Sequence, residues 1–236
     1  MNLPMQLNLK GYLTRCIFLL TVCILAVLFI SGKHIPEPAQ TITWKINSTR
    51  QIGEFKPEVI GKPVVIKDKT GSTVAFNGIN DGLVVPTIPI TGWTRFTIEV
   101  LFKPDVDGPS APRFMHFEDA DGNRGTFELR ITPMGEWYLD AFLKNGKLNK
   151  GLTLIDSTIL HPAGKWYWAA MVYDGRKMTS YVNGQKELEG EVELVPMLVG
   201  RLALGVRLNK VNWFKGQLKE IRFHPAALDQ MALQGW

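Results

Sequence analysis

Residues 165–184 read Lys-Trp-Tyr-Trp-Ala-Ala-Met-Val-Tyr-Asp-Gly-Arg-Lys-Met-Thr-Ser-Tyr-Val-Asn-Gly. An apolar stretch at 167–173 runs into Asp174-Gly175, and a second at 179–182 runs into Asn183-Gly184. Both dipeptides accept φ > 0, which the primed turns between twisted antiparallel strands require. The segment therefore reads as consecutive hairpin strands. From Thr41 onward the rest of the chain repeats this pattern, with short apolar or alternating runs bounded by Gly, Asn, Asp and Pro. Strands are predicted at 63–67, 72–76, 82–85, 95–103, 113–118, 126–132, 137–143, 167–173, 179–182, 201–206 and 217–223. One helix is predicted in this part of the chain, at 225–233, with Pro225 suited to its first turn. This spacing indicates an all-β fold of two packed antiparallel sheets.

Along 95–103, Phe96, Ile98, Val100 and Phe102 fall on one face and Arg95, Thr97, Glu99, Leu101 and Lys103 on the other. A one-residue slip would expose the whole apolar set, so the register is well specified. Trp93, Trp137, Trp166 and Trp168 stand at strand starts or inside strands and are expected in the core, each indole N–H on a local acceptor. His116 and Glu118, Glu128 and Arg130, and Tyr138 and Asp140 each share a face by alternation. Charge within strands is costly unless solvated or paired. This face therefore either looks into an open binding surface or carries ion pairs across a solvated sheet.

The first 32 residues differ in kind. Residues 16–30 are apolar except for Thr21, Lys10 and Arg15 precede them, and no acidic residue occurs before Glu37. That is the layout of a signal sequence. The small residues after Ile30 make a poor cleavage site, which favours an uncleaved single-pass anchor over a removed peptide. The basic flank would keep the N-terminus cytoplasmic and place the C-terminal domain outside, or the domain is secreted if the leader is cut. Residues 33–40, with Pro36 and Pro38, read as a stiff linker before a domain at 41–236. Both cysteines, Cys16 and Cys23, lie in the apolar run, so the domain has no thiol, disulfide or cysteine metal site. Its charge is modest: without Lys10 and Arg15, 25 basic residues face 22 acidic ones. No Lys/Arg run marks a nucleic-acid stripe. Asn47-Ser48-Thr49 is a glycosylation sequon, relevant only in a eukaryotic secretory pathway.

Four stretches in order, Phe76–Pro86 by number 76–86, Thr94-Arg95-Phe96-Thr97-Ile98-Glu99-Val100, the run at 166–184 and 216–223 with Ala227-Leu228, together resemble the laminin-G-like jelly roll of the concanavalin A-like lectin/glucanase superfamily. The resemblance covers roughly 74–233. It implies a two-sheet jelly-roll sandwich, and it leaves function open, since such sandwiches serve as lectins, adhesion modules and glycosidases. Related pentraxins hold Ca²⁺ at the sheet rim, and by position Asp121 and Asn123 match an Asp-Asn pair of calcium ligands. The second half of that site should follow Leu204-Gly205, where this chain has Arg207 and Lys210 instead of carboxylates. That departure argues against a pair of ions, and Asp121-Gly122-Asn123 also reads as a plain turn. No other cofactor is expected.

The same departure makes 207–213 the leading ligand-binding element. Arg207, Asn209 and Asn212 offer hydrogen bonds beside the aromatic face of Trp213, the combination that holds sugars. Glu128, Arg130 and Asp140 form the second polar set. Glycosidases of this superfamily carry alternating carboxylates, and Glu187, Glu189, Glu191 and Glu193 have that alternation. They follow the Asn183-Gly184 turn, where an outer strand is expected, so a charged edge that discourages edge pairing explains them better. His34, His116, His161 and His224 show no metal spacing. The expectation is a non-catalytic, membrane-anchored recognition domain for carbohydrate or a cell-surface protein. The alternatives are a glycan-active enzyme and a structural docking domain.

Overall fold

The computed structural model describes residues 40–235. The predicted leader at 1–32 and the linker up to residue 39 lie outside the described residues. Among the described residues no helix is long and apolar enough to cross a membrane.

The strands of the N-terminal half are β1 (Ile42–Lys45), β2 (Glu58–Ile60), β3 (Val64–Asp68), β4 (Gly71–Asn77), β5 (Gly82–Val85), β6 (Phe96–Pro104), β7 (Arg113–Asp119) and β8 (Arg124–Ile131). Those that follow are β9 (Glu136–Asn145), β10 (Lys150–Ile155), β11 (His161–Pro162), β12 (Tyr167–Tyr173), β13 (Lys177–Val182), β14 (Gln185–Glu191), β15 (Gly200–Leu204) and β16 (Lys215–His224). They form two antiparallel sheets. One runs β14-β13-β12-β6-β16-β4-β3 with β1 also on β16, and the other runs β10-β9-β8-β7-β15-β5-β2 with β11 on β9. The chain is thus the predicted all-β sandwich.

The deciding hairpins form as their turn residues demand. Asn183 and Gly184 both take positive φ and join Val182 to its partner Gln185, the two-residue turn whose twist suits the flanking strands. The Asn183 side chain also accepts the Trp168 N–H, while Asp174 accepts the N–H groups of Arg176 and Lys177 across the preceding turn.

The core lies between the sheets. Phe96, Ile98, Val100 and Phe102 all enter it, against Phe114, Phe127, Trp137 and Ile221. Of the tryptophans read as core, Trp137 is fully buried, although its indole N–H has no acceptor. Trp93 packs at the core margin. Trp166 does not join it, with Lys103 and Lys219 over its ring, and Trp168 is buried but outside the inter-sheet cluster, with Arg222 over its ring.

The opposite face of β6 is not open. Thr97, Glu99 and Leu101 are buried as well, because the C-terminal segment crosses this face. The helix predicted at 225–233 does not form, and only a 3-10 turn at Gln230–Ala232 remains. Its backbone groups are claimed elsewhere. The Thr97 hydroxyl donates to the Ala226 carbonyl and accepts the Leu228 N–H, and Glu99 accepts the Gln234 N–H and pairs with His224 at 2.9 Å. Ala227, Leu228 and Leu233 then pack on Ala170, Val172 and Tyr181. Thr97→Val keeps the shape of the side chain and removes both bonds. It is expected to lower unfolding free energy by about 1–3 kcal/mol in urea titration and to speed proteolytic trimming of the tail.

Candidate functional site

The second sheet turns Met115, Phe117, Phe127, Leu129, Ala141 and Leu143 into the core. By alternation the intervening residues of β7, β8 and β9 face outward. Register arranges them in rows: Arg113, Glu128 and Asp140; then His116, Thr126, Phe142 and Thr153; then Glu118, Arg124 and Lys144. A bulge between Arg113 and Met115 decides the first row. It lets Phe114 join the core while Arg113 reaches Glu128 across the strand. The shared faces predicted for His116/Glu118, Glu128/Arg130 and Tyr138/Asp140 are all part of this surface.

These rows line a depression of about 250 Å³. Arg113 contributes from β7, Arg124, Thr126, Glu128 and Arg130 from β8, and Asp140 and Phe142 from β9. Thr153 of β10 and Arg207, from the loop after β15, complete the wall. The half-buried Phe142 presents an aromatic ring to the hollow, with the Arg124 guanidinium 5.5 Å from its centroid. Gly151 on the neighbouring strand makes room for that ring, since a Cβ there would lie 2.9 Å from it.

The floor is an ion network. Glu128 receives Arg113 at 2.6 Å on one oxygen and Arg130 at 3.1 Å on the other, and Arg130 also holds Asp140 at 2.7 Å. Burial pushes the Glu128 carboxyl above its ordinary range despite Arg113, with the facing Asp140 charge acting in the same direction. His116 is 1% exposed and neither ring nitrogen makes a hydrogen bond. Its pKa falls to about 3, first by burial and then by the charges of Arg207, Arg124 and Arg113. Glu118 stands 3.7 Å away. It is beyond hydrogen-bonding reach and one-third exposed to water, so it does not offset them.

The structure thus brings Arg207, Glu128, Arg130 and Asp140 to one site. The other three residues predicted on 207–213 go elsewhere. Asn209 lies by a separate hollow beside Glu118, Arg201 and Leu208. Asn212, at φ 59°, donates its amide to the Ala111 carbonyl, and its own carbonyl accepts the Arg113 N–H. Trp213 packs with Leu208 and Ile60 on Val84, Ala203 and Val206, which covers the β5–β15 end of the same face. Phe142 is the aromatic ring that lines this hollow.

The proposed calcium ligands are differently employed. Asn123 is fully buried, its carbonyl accepts the Gly146 N–H, and its amide donates to Asp119. Asp121 pairs with Lys147 at 3.0 Å. Asp119 accepts the N–H groups of Asp121, Asn123 and Leu198 besides the Asn123 amide. These oxygens organise a turn, and the donor set does not fit a calcium ion; among the described residues no group of three or more His, Cys, Asp or Glu could hold a metal. Of the glutamates weighed for catalysis, Glu189 pairs with Lys177 and Lys186, and Glu191 with Arg176, on the edge strand β14. Glu187 turns from that edge to His161 at 2.6 Å.

A family model described as the concanavalin A-like lectin/glucanases superfamily, of laminin-G type, matches residues 76–234. The chain belongs to this superfamily. Solved structures similar to this concanavalin A-like domain include the following. Domain 4 of AbnA, a GH43 extracellular arabinanase from Geobacillus stearothermophilus, solved in complex with arabinotriose, superposes with a TM-score of 0.61 at 20% identity, over 83% of this chain and 97% of that one. The botulinum neurotoxin serotype D ligand-binding domain with N-acetylneuraminic acid gives 0.57 at 12% identity, over 80% of this chain and 48% of the other. The binding domain of Paraclostridial Mosquitocidal Protein 1 gives 0.58 at 14%, over 80% and 49%. The chain therefore spans about half of each toxin domain. At these identities the likeness shows the fold alone. No curated protein matches the chain in sequence.

Proposed function

We propose that the domain is a non-catalytic carbohydrate-recognition module that binds through the depression on the outer face of β7–β10. The observation that carries this reading is the placing of the Phe142 ring beside Thr126, Thr153, Asp140 and the arginines. A sugar presents an apolar C–H face and a rim of hydroxyls, and this wall offers a partner for each. The arabinotriose and N-acetylneuraminic acid complexes of the similar structures support the choice of ligand class. A hollow of about 250 Å³ suits a sugar ring better than a protein surface. Export and a single-pass anchor rest on the apolar run at 16–30 behind Lys10 and Arg15.

One observation favours a second, enzymatic reading. Glu128 and Asp140 stand directly opposite each other across β8 and β9, and a retaining glycosidase needs two carboxyls about 5–5.5 Å apart. Against it, both Glu128 oxygens and one of Asp140 are engaged by arginine, so neither carboxyl is free to meet a glycosidic oxygen or attack a sugar carbon without breaking an ion pair.

A glycan array followed by calorimetry on the full-length chain tests both. Binding is expected with no release of reducing sugar. Phe142→Ala should weaken it at least about tenfold, while Trp213→Ala leaves it within about threefold. Loss through Trp213 alone would return the site to 207–213. Reducing-sugar release abolished by Glu128→Gln would establish the enzyme.

A further inference from the structure

The charges around the depression do not balance. Of its four arginines, Arg113 and Arg130 are spent on Glu128 and Asp140. Among the described residues Arg124 and Arg207 have no carboxylate within ion-pairing distance, although both line the same hollow. Glu118 stands opposite Arg124 in the register without pairing with it, and Lys144 flanks it on the other side. A guanidinium presents a fork of N–H donors that a planar or tetrahedral oxyanion meets with two parallel charge-assisted bonds, roughly twice as strong as the bond to a neutral hydroxyl.

Resting on the carbohydrate reading above, we propose that the ligand is an acidic saccharide, whose carboxylate or sulfate is gripped between Arg124 and Arg207 while its ring lies against Phe142. Two features of the site support this. His116, buried one position from Arg113's row, has no hydrogen-bond partner on either ring nitrogen. It is held neutral with three arginines around it, so the field at this face is positive before any ligand arrives. The backbone that carries Arg207 is also closed on itself. Its loop closes through Arg207 N–H to the Val211 carbonyl and Lys210 N–H to the Arg207 carbonyl, with Lys210 and Asn212 in positive φ. A closed turn spares the backbone ordering cost when its side chain binds.

The test titrates the full-length chain with three probes of similar length: an oligogalacturonate, a sulfated galactan oligosaccharide and a neutral arabino-oligosaccharide. At least one acidic probe is expected to bind about tenfold or more tightly than the neutral one, and to weaken steeply between 50 and 500 mM salt, where the screening length shortens from roughly 14 to 4 Å. Which acidic probe wins identifies carboxylate or sulfate. Arg124→Gln and Arg207→Gln should each lose about ten- to a hundredfold for that probe and flatten its salt dependence. Lys186→Gln on the far edge strand serves as the charge control, and circular dichroism confirms folding of each variant. Equal, salt-independent binding of acidic and neutral probes overturns the acidic preference and leaves the carbohydrate reading standing. No binding of any probe, by wild type or variants, overturns both.

Discussion

Asp119→Ala is expected to lower the unfolding free energy by about 4 kcal/mol, read as a shift of the urea midpoint at unchanged slope. Asp119 is 6% exposed and gathers four donors: the N–H groups of Asp121, Asn123 and Leu198 and the Asn123 side-chain amide. Truncation leaves them without their acceptor, and an unmet buried donor costs about 1–3 kcal/mol. The damage spreads, because Asn123 in turn accepts the Gly146 N–H at the turn between β9 and β10. Asp119→Asn should fall between the two, since one of its atoms becomes a donor pointed at donors. A change below about 1 kcal/mol for Asp119→Ala would show that the carboxylate does not organise this rim.

Acidification from pH 6.5 towards 3 is expected to remove up to about 5 kcal/mol of stability through His116 alone. The folded pKa is about 3 against 6.5 for the free side chain. Between those values the unfolded chain binds a proton that the folded chain refuses, so stability is full above pH 6.5 and declines as pH falls. By pH 5 the loss should reach about 2 kcal/mol. Glu128 works in the opposite direction: its raised carboxyl takes up a proton in the folded chain before the unfolded one, which offsets part of this loss as pH falls. His116→Gln should remove the His116 share of the slope between pH 6.5 and 5. A slope unchanged by this substitution would place the titration elsewhere.

Much of the architecture was readable because β-strands announce themselves by period and punctuation. The Phe96–Phe102 alternation and the Asp-Gly and Asn-Gly turns specify faces and hairpins within a few residues. The tail was misread because a helical pattern at 225–233 carries no sign that Thr97 and Glu99, more than a hundred residues away, will take its backbone groups. At the site, alternation correctly put Glu128, Arg130 and Asp140 on one face, and two further steps along β9 would have added Phe142. Arg113 was hidden by the bulge at Phe114, which breaks the two-residue period. Trp213 was chosen for its chemistry, yet whether an aromatic on a loop covers apolar neighbours or faces ligand depends on what lies beneath it. Here that is Val84, Ala203 and Val206, supplied by strands distant in sequence.

Hydrogen–deuterium exchange of the full-length chain, with and without the tightest-binding oligosaccharide, tests the location of the site most directly. Binding in the depression predicts added protection confined to peptides of β8, β9 and β10 and to the turn carrying Arg207. Protection confined to the β14 edge or to the rim at 119–123, with β8–β10 unchanged, would contradict it.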